Sequence, residues 1–338
     1  MRAYQLAKGG AGIDGLTKVE RPDCKPGHRQ VLVKVAACSL NFRALGIVRG
    51  TYRMGSKENL IPLSDGAGEV IEVGSGVTRV KVGDKVAGNF FQRWPGGEAP
   101  PDVQTSALGG AIDGMLAEYV VLEEEGAVKL PPHLSLEEGA TLPCAAVTVW
   151  HAMMEHGKML AGQTVLLQGT GGVSVFGLQL AHAMGMQAII TSSSDDKLAK
   201  AKKLGATHTI NYKTKPDWDK AAVELTQGRG ADHVVEVGGA GTLTKSFGAI
   251  RVGGKISMIG NLSGPASELN PGLIMGKRAN IQGISVGSMQ MFEAMNRVIA
   301  ANAIKPVIDK VFGFDEVKPA YNHMASGAHF GKIVIRVS

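Results

Sequence analysis

Hydrophobic and polar positions divide the chain into stretches of different period. Residues 30–37 (QVLVKVAA) alternate, with Val31, Val33 and Val35 on one face, which predicts a β-strand. Residues 66–73 (GAGEVIEV), 86–87 and 117–122 (AEYVVL) read as further short strands, parted by turn glycines and by a Pro/Gly-rich loop at 94–110. Many short strands at this spacing predict a small barrel-like β domain. Pro131-Pro132 then punctuates the chain, and 136–154 takes a helical period behind a cap at Ser135, with Glu138 three residues on. From Gln163 onward, strands at 164–168, 187–191, 207–210, 233–237, 255–260 and 280–286 alternate with helices at 173–184, 195–204, 216–226, 242–250 and 290–302. That alternation predicts a doubly wound parallel sheet. Residues 307–314 and 331–337 are strand-like again and return to complete the first domain. The expectation is an α/β chain of two domains: a β-barrel domain from 1–128 and 287–338, and a Rossmann domain from 129–286.

Composition narrows the class. The chain has 338 residues, 44% hydrophobic and 20% charged, the balance of a soluble globular protein. Its net charge of +6 is spread along the sequence rather than gathered on one segment, so no nucleic-acid surface is expected. Cys24, Cys38 and Cys144 are odd in number and widely spaced, which fits a reducing compartment without disulfides. No apolar run reaches the ~18 residues of a membrane span, and the N-terminus lacks a signal-peptide core. Cytoplasmic location and no membrane partner are the expectations.

The chemistry is announced by the stretch 163–197 (QTVLLQGTGGVSVFGLQLAHAMGMQAIITSSSDDK). A strand runs into a glycine turn, Gly169-Thr170-Gly171-Gly172, then a helix opening near Val173, then a second strand ending in Ser192-Ser193-Ser194. Gly169 allows the tight turn, Gly171 lets the backbone approach a pyrophosphate, and the helix start offers N–H groups to it. The third glycine of the dinucleotide fingerprint is here Ser174, with Gly177 one turn later to help the helix pack on the strand. An NAD site places an acid at the end of the second strand. This chain has serines there, with Lys197 following, so NADP(H) is expected over NAD(H) despite Asp195 and Asp196.

The chain resembles the medium-chain dehydrogenase/reductase superfamily, and within it the zinc-independent, quinone-oxidoreductase-like branch. The resemblance rests on VAACSLNFRALGIVRGTY (35–52), PLSDGAGEVIEVGSGVTRVKVGDKV (62–86), LEEGATLPCAAVTVWHAM (136–153), GTGGVSVFGLQLA (169–181), KLGATHTINY (203–212) and MIGNLSG (258–264), in the family's order. It implies a GroES-like β domain built from both ends of the chain around a Rossmann domain. It also implies that Tyr212 lines the adenosine phosphate, whereas an arginine that some relatives supply falls at Gly327. Zinc-dependent relatives use a Cys, a His followed by Glu, and a second Cys; the matching positions here hold Cys38, Ser64 with Asp65, and Cys144. No zinc is expected, with Cys38, Asp65 and Cys144 as the one conceivable remnant set. The 89–110 loop, which stands where relatives carry a structural zinc lobe, has no cysteine.

The same resemblance places Asn41 beside the nicotinamide ribose and substrate, with Ala44 where relatives often have Asp, and Thr148 near the carboxamide. Tyr52 is the candidate proton donor. Gly238, Gly260, Asn261, Leu262, Ser285, Val286 and Gly287 are expected on the nicotinamide side, and Lys332 near the cofactor. His151, His156 and His182 lack metal spacing and read as packing residues, as do the methionines of 288–295. Three functions stay open: an NADPH-dependent reductase of quinones, enones or related carbonyls; an alcohol dehydrogenase; and a non-catalytic NADPH-binding protein. The last Rossmann strand, 279–286, would be a sheet edge, and a homodimer through it is expected.

Overall fold

The computed structural model describes residues 1–7, 10–52, 57–264 and 268–338. They form two compact units, Met1–Val147 with Val286–Ser338 and Thr148–Ser285.

In the first unit, β1 (Arg2–Leu6) and β2 (Leu16–Glu20) make an antiparallel ribbon. The long β3 (Gln30–Ser39) leads into helix α1 (Phe42–Val48), followed by β4 (Asp65–Val73), β5 (Lys85–Gly88), β6 (Tyr119–Glu123) and β7 (Ala127–Lys129). Val31, Val33 and Val35 are fully buried on the predicted face of β3, while Lys34 between them is exposed. The capping box at Ser135 is present: its hydroxyl accepts from Glu138 N at 3.1 Å and the Glu138 carboxylate accepts from Ser135 N at 2.8 Å. It starts α2 (Leu136–Gly139). The expected continuous helix does not follow. A π-helical turn at Leu142–Ala146, α3 (Val147–Trp150) and a second π-helical turn at His151–His156 succeed one another. Pro143 lies at the start of the first π turn, where its missing N–H interrupts the regular ladder.

The second unit carries β8 (Thr164–Leu167), α4 (Gly172–Ala183), β9 (Gln187–Ser192), α5 (Asp195–Lys203), β10 (His208–Asn211), α6 (Trp218–Leu225), β11 (Ala231–Glu236), α7 (Leu243–Ala249), β12 (Ile250–Met258), α8 (Pro271–Lys277) and β13 (Asn280–Gly283). The six strands pair in parallel in the order β10-β9-β8-β11-β12-β13. This is the doubly wound Rossmann order, with the crossover reversing between β8 and β11. Strands β8 and β11 are buried along their whole length, the mark of a sheet covered on both faces. Helix α8 was not legible in the sequence; its seven residues include no buried one, so no apolar stripe announced it.

The chain returns to the first unit through α9 (Met289–Ala301), β14 (Ile308–Gly313), α10 (Val317–Ala325) and β15 (Lys332–Arg336). The returning strands join the front of the sheet, ordered β14-β15-β3-β4-β5-β7 with β6 also on β3. Strand β15 runs antiparallel to β3, setting Val334 opposite Ser39. The expected boundary at 128/129 falls instead at 147/148. Residues 129–147 belong with the first unit because Leu130 N bonds to Lys85 O, His133 to Ile304 O, and Cys144 N to the Asp65 carboxylate.

A buried polar chain crosses the second unit's sheet. His156 Nε2 lies 2.9 Å from Asn280 Oδ1 and its Nδ1 2.8 Å from Ser257 Oγ, which lies 2.9 Å from His233 Nε2. One proton pattern satisfies it: His156 Nε2–H donates to Asn280, Ser257 O–H donates to His156 Nδ1, and His233 Nε2–H donates to Ser257. Both rings are then neutral. Burial, with His156 and Lys255 nearby, lowers the His233 pKa from 6.5 to about 3, and burial also lowers that of His156. The unfolded chain takes up these protons below its ordinary histidine pKa while the folded chain does not, so stability falls as pH drops below about 6.5. His233 alone is expected to remove ~2 kcal/mol between pH 6.5 and 5. Urea unfolding at the two pH values checks this, and His233→Gln should show a visibly shallower pH slope than the parent.

Candidate active site

In the second unit, candidate residues gather at the carboxyl ends of the Rossmann strands. Strand β8 ends at Leu167, and Gly169 turns the chain with φ at +73°, a conformation that a side chain would strain. A Cβ added at Gly169 or Gly171 would meet nothing within 4 Å, so the turn leaves open space on its outer side. Helix α4 starts at Gly172, and its N-cap residue, Gly171, makes no side-chain capping bond. The first N–H groups of a twelve-residue helix thus remain available to a pyrophosphate. Val173 is half-buried in this first turn. Ser174, in the place of the third glycine, donates its hydroxyl to Gln168 O at 2.6 Å and ties the helix to the strand end. The close approach falls to Gly177, where a Cβ would stand 2.8 Å from Leu167 Cδ2 and 2.9 Å from Val149 Cγ2. These residues fit a dinucleotide phosphate.

Beneath the turn lies a network that sequence reasoning missed. Glu236, fully buried at the end of β11, accepts from Gly238 N at 2.8 Å, Gly239 N at 2.9 Å, Gln168 Nε2 at 2.7 Å and the hydroxyls of Thr242 and Ser246. Gln168 returns its carbonyl to Val237 N and Gly238 N at 3.1 and 3.2 Å. A buried carboxylate with this many donors is held in one place. It locks the Gly238 loop to the residue that begins the glycine turn. The available signal was a glutamate inside the apolar run Val234-Val235-Glu236-Val237.

Strand β9 ends at Ser192, which is buried, with Ser193 and Lys197 half-buried beyond it and Tyr212 41% exposed on the neighbouring strand's exit. Tyr212 N bonds to Ser192 O at 3.0 Å, so these two residues are brought side by side. Ser194 caps α5 through Lys197 N at 3.4 Å, and Asp195 is engaged by Asn211 Nδ2 at 2.8 Å. The helix-start acids therefore serve the helix and its neighbour. Gly260 and Asn261 follow β12, with Gly260 N on Glu236 O at 3.4 Å, and Leu262 is 50% exposed. Thr148 is buried at the start of this unit, and Ser285 closes it.

The first unit has its own cluster of candidate residues, where β3, β4 and β15 meet. Asp65, at the start of β4, is fully buried. Its Oδ1 accepts from Ser64 Oγ at 2.8 Å, and its Oδ2 from Ser39 Oγ and Cys144 N at 3.3 Å each. Lys332, 3% exposed at the start of β15, brings its ammonium 3.5 Å from the same Oδ2. That ammonium also donates to Leu40 O at 2.8 Å and to Asn41 Oδ1 at 2.7 Å. Asn41 is the half-buried N-cap of α1. Lys332 and Asn41, both expected near the cofactor from the resemblance, are thus in direct contact.

The residues matching a zinc site do not fit one. Cys38 is fully buried, its thiol donates to Met115 O at 2.9 Å, and burial and the Asp65 charge push its pKa well up, away from the thiolate that a metal needs. Asp65 is already matched to a lysine cation, and Ser64 brings a hydroxyl that is committed to Asp65. Among the described residues no group of three or more His, Cys, Asp or Glu side chains is placed to hold a metal ion.

Tyr52 is half-buried, its N bonded to Gly46 O at 3.1 Å, and its ring lies 5.2 Å from the Arg43 guanidinium. Arg43 also covers Phe90 at 4.6 Å and donates to Leu108 O at 2.9 Å, so its charge is spent on two rings and a carbonyl. Gly287, expected by the nicotinamide, has a packing reason of its own: a Cβ there would lie 2.8 Å from Val147 Cγ1. Val286 before it adopts φ +48°.

Two family models match the chain: the alcohol dehydrogenase GroES-like domain over residues 27–132 and the zinc-binding dehydrogenase over 172–301. A zinc-type alcohol dehydrogenase-like protein of Schizosaccharomyces pombe is 48% identical over 91% of each chain. A quinone oxidoreductase of Pseudomonas aeruginosa is 30% identical over 92% of each. Among solved structures, an NAD-dependent alcohol dehydrogenase superposes with a TM-score of 0.89 at 30% identity, covering 100% of both chains. A quinone oxidoreductase of Pseudomonas syringae gives 0.84 at 28% identity, covering 99% of both. With the Rossmann order, the glycine turn and the GroES-like unit in place, the chain belongs to the medium-chain dehydrogenase/reductase superfamily and is an oxidoreductase of that type.

Proposed function

We propose that this oxidoreductase is zinc-independent and uses NADPH to reduce quinones, enones or related conjugated carbonyls. The observation that carries the reading is the Lys332 ammonium buried against Asp65, among the residues that match a zinc enzyme's ligands. A fixed cation already neutralises the carboxylate there, and among the described residues no histidine joins it in a metal-holding group. Alcohol–ketone exchange develops a localised alkoxide, which zinc relatives stabilise with the metal. Conjugate reduction spreads the charge over an enolate or phenolate and needs only one or two hydrogen bonds.

NADPH, when bound, supplies the hydride. In this reading Gly169, Gly171, Gly172 and Val173 hold its pyrophosphate. Ser192, Ser193, Lys197 and Tyr212 take the 2′-phosphate, since β9 ends without an acid to repel it. Thr148, Gly238, Gly260, Asn261, Leu262, Ser285 and Gly287 line the nicotinamide side, with Lys332 acting close by. Asn41 and Tyr52 serve the substrate oxygen, Tyr52 as proton donor. Similarity to the NAD-dependent alcohol dehydrogenase favours a second reading, an alcohol dehydrogenase. Strand β13 is the last of the Rossmann sheet, and its outer edge supports a homodimer through that strand.

NADPH oxidation followed at 340 nm with quinones, enones, aldehydes and, in reverse, alcohols is expected to give turnover on the first two groups that chelator leaves unchanged. Turnover confined to alcohols and aldehydes and abolished by chelator would overturn the reading. NADPH should exceed NADH in kcat/KM by roughly tenfold, ~1.4 kcal/mol, and Ser192→Asp should reverse that order without loss of folded circular dichroism. Light scattering should return about twice the 35.4 kDa chain mass; a monomer mass would rule the edge-strand dimer out.

A further inference from the structure

An asparagine side chain has two faces, a carbonyl that accepts and an NH2 that donates, and its role in a site depends on which one points outward. At Asn41 this choice is fixed from behind. The Lys332 ammonium lies 2.7 Å from the Asn41 amide and can only donate, so the atom facing it is Oδ1. The ammonium is itself anchored. Its three hydrogens have three acceptors, Leu40 O, Asn41 Oδ1 and Asp65 Oδ2, and Asp65 is pinned by Ser39, Ser64 and Cys144 N. With Lys332 3% exposed and Asp65 fully buried, neither can turn away without leaving the other as an unpaired charge. Asn41 is only half-buried, and no described protein group takes its Nδ2 hydrogens.

We propose that Asn41 meets its ligand as a hydrogen-bond donor, and that Lys332 and Asp65 are positioning residues that hold it so. The ligand is an electron-rich oxygen: the carbonyl oxygen of the substrate, on which charge grows as hydride arrives. This rests on the reductase reading for the identity of that oxygen, though not for the orientation of the amide. The ammonium behind Oδ1 draws electron density through the amide and makes the outward N–H groups stronger donors. Lys332, with its hydrogens committed, acts on the bound ligand through Asn41 rather than by touching it.

Asn41→Asp separates the two faces. The carboxylate keeps an oxygen for Lys332, so the fold is expected to survive, but it offers the ligand an acceptor only. With NADPH held saturating, as checked by fluorescence titration, kcat on whichever carbonyl, quinone or alcohol the parent turns over should fall roughly 100-fold. Near-parental kcat in this variant would mean that Asn41 accepts, and would overturn the proposal. Lys332→Gln is then combined with Asn41→Ala. If Lys332 works through Asn41, its loss costs little further kcat in the Ala background; a purely structural lysine costs the same factor in both. Where the parent turns over none of the panel, the reductase reading fails on its own, and the amide is read directly. In 15N-asparagine-labelled protein, the Asn41 NH2 signal, assigned by its absence from the Asp variant, should exchange freely with solvent. A protected signal means the NH2 is turned inward and the proposal is wrong.

Discussion

The buried pair of Lys332 and Asp65 is the constraint on which the first unit's chemistry depends. Removing a carboxylate and an ammonium from water is expensive, and their attraction offsets that cost only when the remaining lone pairs and protons are also satisfied. Here they are: two hydroxyls and a backbone N–H close around the carboxylate, and two further oxygens take the ammonium's other hydrogens. The arrangement draws on β3, β4, β15 and the first π-helical turn at once. It explains why the C-terminal segment must return across the whole length of the chain. Without β15 beside β3, Asp65 would keep its hydrogen-bond donors and lose the cation that neutralises it.

A second carboxylate organises the Rossmann unit by the opposite means. Glu236 has no cation among the contacts described above; hydroxyls, an amide and two backbone N–H groups of the Gly238 loop supply its donors. That shell fixes the strand ends of β8 and β11 against each other, at the point where strand order reverses. The glycine turn can then remain bare. Gly169 and Gly171 hold an open surface because the rigidity comes from Gln168 and Glu236 below, and Ser174 adds a tether in place of the missing third glycine.

Much of this was legible in the residue pattern. Alternation in β3 and the strand–helix rhythm after Gln163 reported burial directly, because a strand with one wet face and a sheet with none leave different periods. The glycine turn was legible because Gly169 takes a positive φ that favours glycine. The domain boundary was not. Pro131-Pro132 is strong local punctuation, but 129–147 is held by partners at Lys85, Ile304 and Asp65, which lie far away in sequence. The break of the 136–154 segment into α and π turns escaped for a similar reason, since its apolar period is close to that of an uninterrupted helix. Residues 53–56, next to the candidate Tyr52, lie outside the described structure.

By itself, the sequence determined the two-domain class and the dinucleotide turn, because each is a local matter of residue type and spacing; the exchange of a histidine ligand for Ser64 was legible only through the family resemblance. The sequence marked Asn41, Asp65 and Lys332 as separate candidates, as possible site, metal and cofactor residues. Only the tertiary structure decided that they are one unit. A side chain's partner across nearly 300 residues leaves no trace in local period, and which end of an amide faces outward depends on what stands behind it.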